Sequence, residues 1–221
     1  MIRALIFDFD GTILDTETPD YETWVEVYRE HGHPLSIEEW ANTLGTAHSP
    51  LDLIEHLIEK TDGRLSRESI RARKRELFHA RVFAEPIRPG VREYFRDGEG
   101  LGLRIGIASS ADHSWVSGHL ERLGLLQMVH SIRTAEDVHL TKPDPALFVQ
   151  ALAALGVRPE EAIAIEDSPN GVHAAMAAGI FCVAVDNPIT SRLDLDGADL
   201  RVRSLAELPL LRLLEHAAQS R

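Results

Sequence analysis

The residues best suited to chemistry are Asp8 and Asp10, in the stretch Ala4 to Thr12, which reads ALIFDFDGT. An apolar run, Ala4-Leu5-Ile6-Phe7, stops abruptly at these carboxylates, and Gly11 and Thr12 follow. A buried strand gains nothing structurally from acids at its C-terminal end, whereas ligand sites in open α/β sheets lie outside the carboxyl ends of the strands. A carboxylate such as Asp8 can attack phosphorus there and form an aspartyl-phosphate. Asp10 can protonate a leaving oxygen and then take the proton of an attacking water. Two plainer readings compete. One is an Asx-type turn at the strand exit. The other is part of a calcium loop, which fails on spacing: an EF-hand sets three acids at alternate positions ahead of its glycine, and here Gly11 directly follows the second acid.

Three later stretches carry complementary groups. Glu166-Asp167-Ser168 follows the apolar run Ala162–Ile165 and again delivers acids at a strand end. Oxygen ligands from several strand ends suit Mg²⁺. Ser109 and Ser110 close the run that begins at Arg104, and a hydroxyl with backbone N–H groups at a strand-to-helix junction suits a phosphate oxygen; the plainer reading of Ser109 is a helix N-cap. Lys142 stands in Thr141-Lys142-Pro143-Asp144-Pro145 and is one of only three lysines. A point cation there can neutralise phosphate, and the plainer reading is a solvated surface lysine. Acids, hydroxyl, lysine and acids recur in that order, each at or near a strand end. A parallel sheet puts all such ends on one rim.

The elements that must position them are readable from apolar runs and caps. Arg3–Phe9, Leu103–Ser109, Ala162–Glu166 and Phe181–Val185 read as buried parallel strands, because they are short, apolar and do not alternate. Helices are expected at Trp115–Leu123, Asp144–Leu155 and Pro169–Ala178, the last with Ser168 as N-cap, Pro169 at the first position and Gly179 beyond its end. Strand and helix in alternation imply a doubly wound, Rossmann-like parallel α/β sheet. The stretch 15–85 has no strand-like run. Its helix signals are Thr18-Pro19, a Ser36/Glu39 capping box, Leu51–Lys60 and Ser66–Phe83. It reads as a helical cap inserted after the first strand into a core of residues 1–14 and 86–221. The prolines and glycine of Glu85–Gly90 mark its return.

Bulk properties narrow the partners. The chain has 221 residues and a formal net charge of −12, which argues against a nucleic-acid or membrane-surface partner. A small phosphorylated substrate needs only a local cationic pocket. Cys182 is the one cysteine; it sits in an apolar run and reads as a buried, inert thiol, in keeping with a reducing compartment. The N-terminus lacks a signal-peptide pattern. A cytoplasmic monomer is expected.

Taken together, Asp8-Phe9-Asp10-Gly11-Thr12, Ser109, Lys142 and Glu166-Asp167 resemble, in order, the four motifs of the haloacid dehalogenase-like phosphohydrolase superfamily. The resemblance spans essentially the whole chain and is strongest to the branch that holds β-phosphoglucomutase and small sugar-phosphate phosphatases. It implies Asp8 as nucleophile, Asp10 as general acid/base, and Ser109 with Lys142 as the phosphoryl grip. It implies Mg²⁺ held by the Asp8 carboxylate, the Asp10 backbone carbonyl and Asp167, with Glu166 assisting directly or through water. An acid at the position of Asp10 argues against dehalogenation. Mutases of this branch carry a cap histidine where this chain has Asp20, and an arginine where it has His48, while Lys74 matches a mutase lysine. Two departures of three favour a phosphatase over a sugar phosphomutase. Substrate choice is assigned to cap side chains: Asp20, Tyr21, Thr46, His48 and Lys74, with Trp24 read as cap core. His113 is read equally as a site residue or a helix start.

Overall fold

A computed structural model describes residues 1–41, 51–189, 191 and 195–219. The described chain divides into two compact units, Met1–Leu14 with Pro86–Arg221, and Asp15–Glu85.

The first unit is built on a parallel sheet. Its strands are β1 (Ala4–Phe7), β2 (Arg104–Ala108), β3 (Ser131–Arg133), β4 (Ala162–Glu166), β5 (Phe181–Val185) and β6 (Leu200–Val202), in the spatial order β3-β2-β1-β4-β5-β6. Every pairing is parallel. This is the doubly wound order, in which the winding reverses between β1 and β4 and opens a crevice at their carboxyl ends. Phe7 lies opposite Ile107 on one side and Ile165 on the other, so Asp8 emerges at this reversal, beside the ends of β2 and β4.

β1 is fully buried because both faces of the sheet are covered. Ala4 and Ile6 join a core with Leu147, Phe148, Ala151 and Leu155, and with Val172 and Ala175. On the opposite face the Phe7 ring packs 5.0 Å from Phe95. Burying a side chain of this size contributes about 1.5–3 kcal/mol. The site is therefore mounted at the end of a fully buried strand.

The helices of this unit start where their caps dictate. The helical unit supplies α1 (Glu17–Glu30), α2 (Ile37–Ala41), α3 (Leu53–Lys60) and α4 (Arg67–Val82), and the sheet unit α5 (Val91–Gly100), α6 (His113–Arg122), α7 (Ala146–Leu155), α8 (Pro169–Ala177) and α9 (Leu210–Gln219). At α8 the Ser168 side chain accepts from Gly171 N–H and Pro169 opens the helix. At α6 the N-cap is Asp112, whose side chain accepts from Trp115 N–H. That corrects the N-cap reading of Ser109, since three residues separate it from the start of the helix. α7 begins at Ala146, later than expected, because Asp144 turns its carboxylate onto Ala146 N–H at 2.9 Å. Three elements escaped the sequence reading. β3 and β6 are three-residue edge strands containing Ser131, Arg133 and Arg201, so they form no apolar run. α5 contains Gly98 and Gly100, which weaken its helical signal.

In the helical unit, α1 packs along α4. Arg73 of α4 donates to Glu30 of α1 at 2.6 Å, and Arg81 bonds Glu26. The Ser36/Glu39 capping box forms as expected, with Glu39 N–H donating to Ser36 Oγ and Ser36 N–H to Glu39. Among the described residues no helix is long and apolar enough to cross a membrane.

Candidate active site

The rim at the β1/β4 reversal holds three buried acids. Oxygens of Asp8, Glu166 and Asp167 lie within 4.8 Å of one another. Asp8 N–H continues the ladder by donating to Ile165 C=O at 2.9 Å, which fixes where its side chain leaves the sheet. Lys142, in the loop ahead of α7, reaches into this group. Its Nζ bonds Asp8 Oδ1 and lies 2.5 Å from Glu166 Oε1. The Lys142 side chain is 5% exposed, so the solvated-surface reading is overturned: the two carboxylates draw it in, and its ammonium lies 5.1 Å from the Phe148 ring centroid.

Each acid is held differently. Glu166 is fully buried. Its Oε1 meets Lys142, while Oε2 accepts from Asp167 N–H, Ser168 N–H and Ser168 Oγ at 3.0, 3.3 and 3.1 Å. It thus joins the lysine to the start of α8, where unpaired N–H groups favour negative charge. Gly171 permits this approach: a Cβ there would stand 1.9 Å from the Glu166 carboxylate. Asp167 accepts from Thr12 Oγ1 at 3.3 Å and from Asn187 Nδ2 at 2.7 Å. Gly11, at φ +76°, lies so close that a Cβ would fall 2.1 Å from Asp167 Oδ2. Asp10 accepts from the indole N–H of Trp115 at 2.9 Å.

The electrostatics follow from burial. Burial pushes the Asp8 carboxyl up to about 8; Lys142 opposes the rise and the nearby Glu166 charge adds to it. Burial also works against the Lys142 ammonium, but Asp8 and Glu166 outweigh it and hold the group above its ordinary value. One ammonium paired with two of three clustered, buried acids leaves formal negative charge in the site. Such a donor set fits a hard divalent cation with oxygen ligands.

Ser109 ends β2 on the same rim and is 1% exposed. Its N–H donates to Arg133 C=O and its Oγ accepts from Ala111 N–H. Ser110 is exposed. His113 starts α6 and is exposed, with its backbone N–H donating to Glu136, so it serves as the helix start. Cys182 is buried, and burial pushes its thiol up, out of the reactive range.

In the helical unit, Asp20 gathers several of the substrate candidates. It accepts from Trp40 Nε1 at 3.0 Å and pairs with Lys74 Nζ at 2.5 Å. Tyr21 packs 5.4 Å from Trp40, and Lys74 lies 4.4 Å from the Phe78 ring centroid. Trp24 is only partly buried, edge-on to Tyr28. Thr46 and His48 lie outside the described residues.

Sequence reading missed Trp115 and Asn187. Neither residue type signals chemistry alone. The available cue was position: Trp115 lies in the first turn of the helix after β2, and Asn187 just after β5.

A doubly wound sheet with a lysine-bridged acid cluster at its reversal point defines an α/β enzyme built to handle anionic phosphoryl groups. Residues 2–179 match the haloacid dehalogenase-like hydrolase family, and the chain belongs to that family, in the branch of β-phosphoglucomutase-like phosphatases. It is similar to YhcW of Bacillus subtilis, named as a candidate phosphatase, with 46% identity over 98% of each chain. It is also similar to the phosphorylated carbohydrates phosphatase of Thermotoga maritima, with 31% identity over 81% of this chain and 82% of that one. Among solved structures, a candidate β-phosphoglucomutase from Thermotoga maritima superposes with a TM-score of 0.78, at 28% identity over 97% of this chain and 99% of that one. The chain is a phosphoric monoester hydrolase acting on phosphorylated substrates.

Proposed function

We propose that this enzyme is a Mg²⁺-dependent phosphatase of a small phosphorylated metabolite, of the sugar-phosphate class, working through an aspartyl-phosphate on Asp8. The observation that supports it is the buried cluster of Asp8, Glu166 and Asp167 around the single ammonium of Lys142. The name of the Thermotoga maritima relative supports a phosphorylated carbohydrate.

Asp8 attacks phosphorus, forming the aspartyl-phosphate bond as the ester P–O bond breaks. Asp10 gives its proton to the leaving oxygen, then takes one from the water that hydrolyses the aspartyl-phosphate. The Asp10 carboxyl accepts the neutral indole N–H of Trp115, so that bond adds no opposing charge to it. Lys142 holds Asp8 in line and offsets phosphoryl charge, and Ser109 with its neighbouring N–H groups takes a phosphoryl oxygen. Asp8, the Asp10 carbonyl and Asp167 would hold Mg²⁺, with Glu166 behind them, already bonded on both oxygens. When bound, the ion supplies charge neutralisation at the transferring group. Residues 15–85 act as the cap that selects substrate, through Asp20, Tyr21, Lys74 and the candidates Thr46 and His48.

A panel of sugar phosphates, nucleotides and phosphoglycolate, read by released phosphate with and without Mg²⁺, tests this reading. Asp8→Asn keeps the shape and removes the nucleophile; turnover should fall by at least ~10⁴-fold. Retained activity would reject the mechanism. A sugar phosphomutase is the second reading, favoured by the structural likeness to a candidate β-phosphoglucomutase. Interconversion of hexose 1- and 6-phosphates with a bisphosphate primer, without net phosphate release, would establish it. Asp20, standing where the mutases carry histidine, weighs towards phosphatase.

A further inference from the structure

We infer that Trp115 is a positioning residue for Asp10, holding its carboxyl in the orientation in which it meets the leaving oxygen. The inference rests on the acid/base role proposed above for Asp10. Trp115 Nε1 donates to Asp10 Oδ1 at 2.9 Å. An indole N–H is a donor only. The bond therefore holds the Asp10 carboxyl in one rotamer, with Oδ1 turned to the indole.

The indole is itself fixed. Trp115 lies in the first turn of α6, and its backbone N–H is tied to the Asp112 cap at 2.7 Å. Its ring meets the buried His119 ring edge-on, with centroids 4.3 Å apart. Arg122, one turn on, donates to His119 Nδ1 at 3.3 Å, and the Phe9 ring lies 6.1 Å from that of His119. Asp10 follows Phe9 directly. The helix thus clamps the strand exit through a ring stack and the acid through one hydrogen bond. A neutral donor suits this task, because a cationic one would form a competing ion pair with the acid.

General acid help matters most when the leaving group is basic. The test compares kcat/KM for phenyl phosphate and p-nitrophenyl phosphate, whose leaving groups differ mainly in basicity, in wild type, Asp10→Asn and Trp115→Phe with Mg²⁺. kcat/KM reports formation of the aspartyl-phosphate, the step in which the acid acts on the leaving oxygen. Trp115→Phe removes the N–H and keeps a ring for His119. It should lose roughly ten-fold more on phenyl phosphate than on p-nitrophenyl phosphate, a fraction of the ~10²–10⁴ a general acid supplies. A merely structural role would lower both equally. Benzothienylalanine at position 115, which replaces N–H by sulfur in a ring of the same shape, should give the same split and decides the matter if the phenylalanine variant folds poorly. A wild-type ratio in both variants, with the split present in Asp10→Asn, overturns this inference and leaves the acid role of Asp10 standing. Absence of the split in Asp10→Asn overturns both.

Discussion

The acid rim of the sheet unit and the ion pairs of the helical unit treat charge in opposite ways. On the rim, three acids cluster, two of them, Asp8 and Glu166, share Lys142, and Glu166 is wholly buried. In the helical unit, Glu30 meets Arg73, Glu26 meets Arg81 and Asp20 meets Lys74, all with side chains about a quarter or more exposed. Exposed pairs are worth little and cost little, about 0–1 kcal/mol each. Buried, unequal charge is expensive, and proteins keep it where chemistry requires it. The contrast separates a region built for reaction from one held together by ordinary surface pairing.

The sharpest way to break this contrast is to remove the shared cation. Lys142→Met leaves Asp8 and Glu166 buried without their ammonium. Losing one partner of a buried pair costs about 3–5 kcal/mol. The loss should be greatest near pH 8, and smaller at pH 6 where Asp8 can take up a proton. Activity should fall by roughly 10³-fold, the scale of a lost charge stabiliser. Chemical denaturation at the two pH values, with kcat measured alongside, checks both. A variant as stable as wild type at pH 8 would mean that the rim is wetter and better compensated than its burial indicates.

What the sequence made legible follows the same divide. Asp8, Asp10, Glu166 and Asp167 were readable because acids at the ends of apolar strands break the burial rule. Lys142 was readable through its rarity and its place just before two prolines. The six-strand order was only half readable: β1, β2, β4 and β5 are apolar runs, while β3 and β6 gain their strand character from the neighbours they pair with. Trp115 and Asn187 were hidden because their residue types are ordinary and their partners lie far away in the chain. The Asp20–Lys74 pair was hidden for the same reason, although each residue had been singled out.

The two regions should also answer pH with opposite signs. Asp8 carries a folded-state value of about 8 against an ordinary value of 3.8. Between these values the folded state binds more protons than the unfolded chain, so its contribution to stability falls as pH rises from about 4 to about 8. Glu30 is lowered, chiefly by its hydrogen bond to Arg73. Its contribution is present above the unfolded value and lost as pH falls through the folded one. Ionised Asp8 is the form that takes a cation, and metal sites of this kind release protons on binding. Mg²⁺ should therefore raise Tm more at pH 8 than at pH 6, and calorimetry at pH 7 should show close to one proton released per ion bound. Equal Tm gains at both pH values would remove Asp8 from the metal site. Raising salt should weaken the Glu30 effect, which is exposed, far more than the Asp8 effect.

The smallest expected effect on stability tests the other side of the comparison. Lys74→Ala removes a pair whose side chains are 27% and 24% exposed, while Asp20 keeps its bond from Trp40. The cost in stability should stay within about 1 kcal/mol, a Tm shift of a few degrees for a unit of this size. If the helical unit reads the substrate, kcat/KM for the best sugar phosphate should still fall roughly ten-fold, equal to about 1.4 kcal/mol of lost binding, with KM carrying most of it. Asp20→Ala/Lys74→Ala together separates the two explanations. A pair that only staples α1 to α4 gives small, coupled stability losses, the double variant costing less than the sum of the singles, and a substrate ranking like that of wild type. A pair that reads substrate changes the ranking across the panel, because removing both charges alters which polar groups the bound sugar can satisfy.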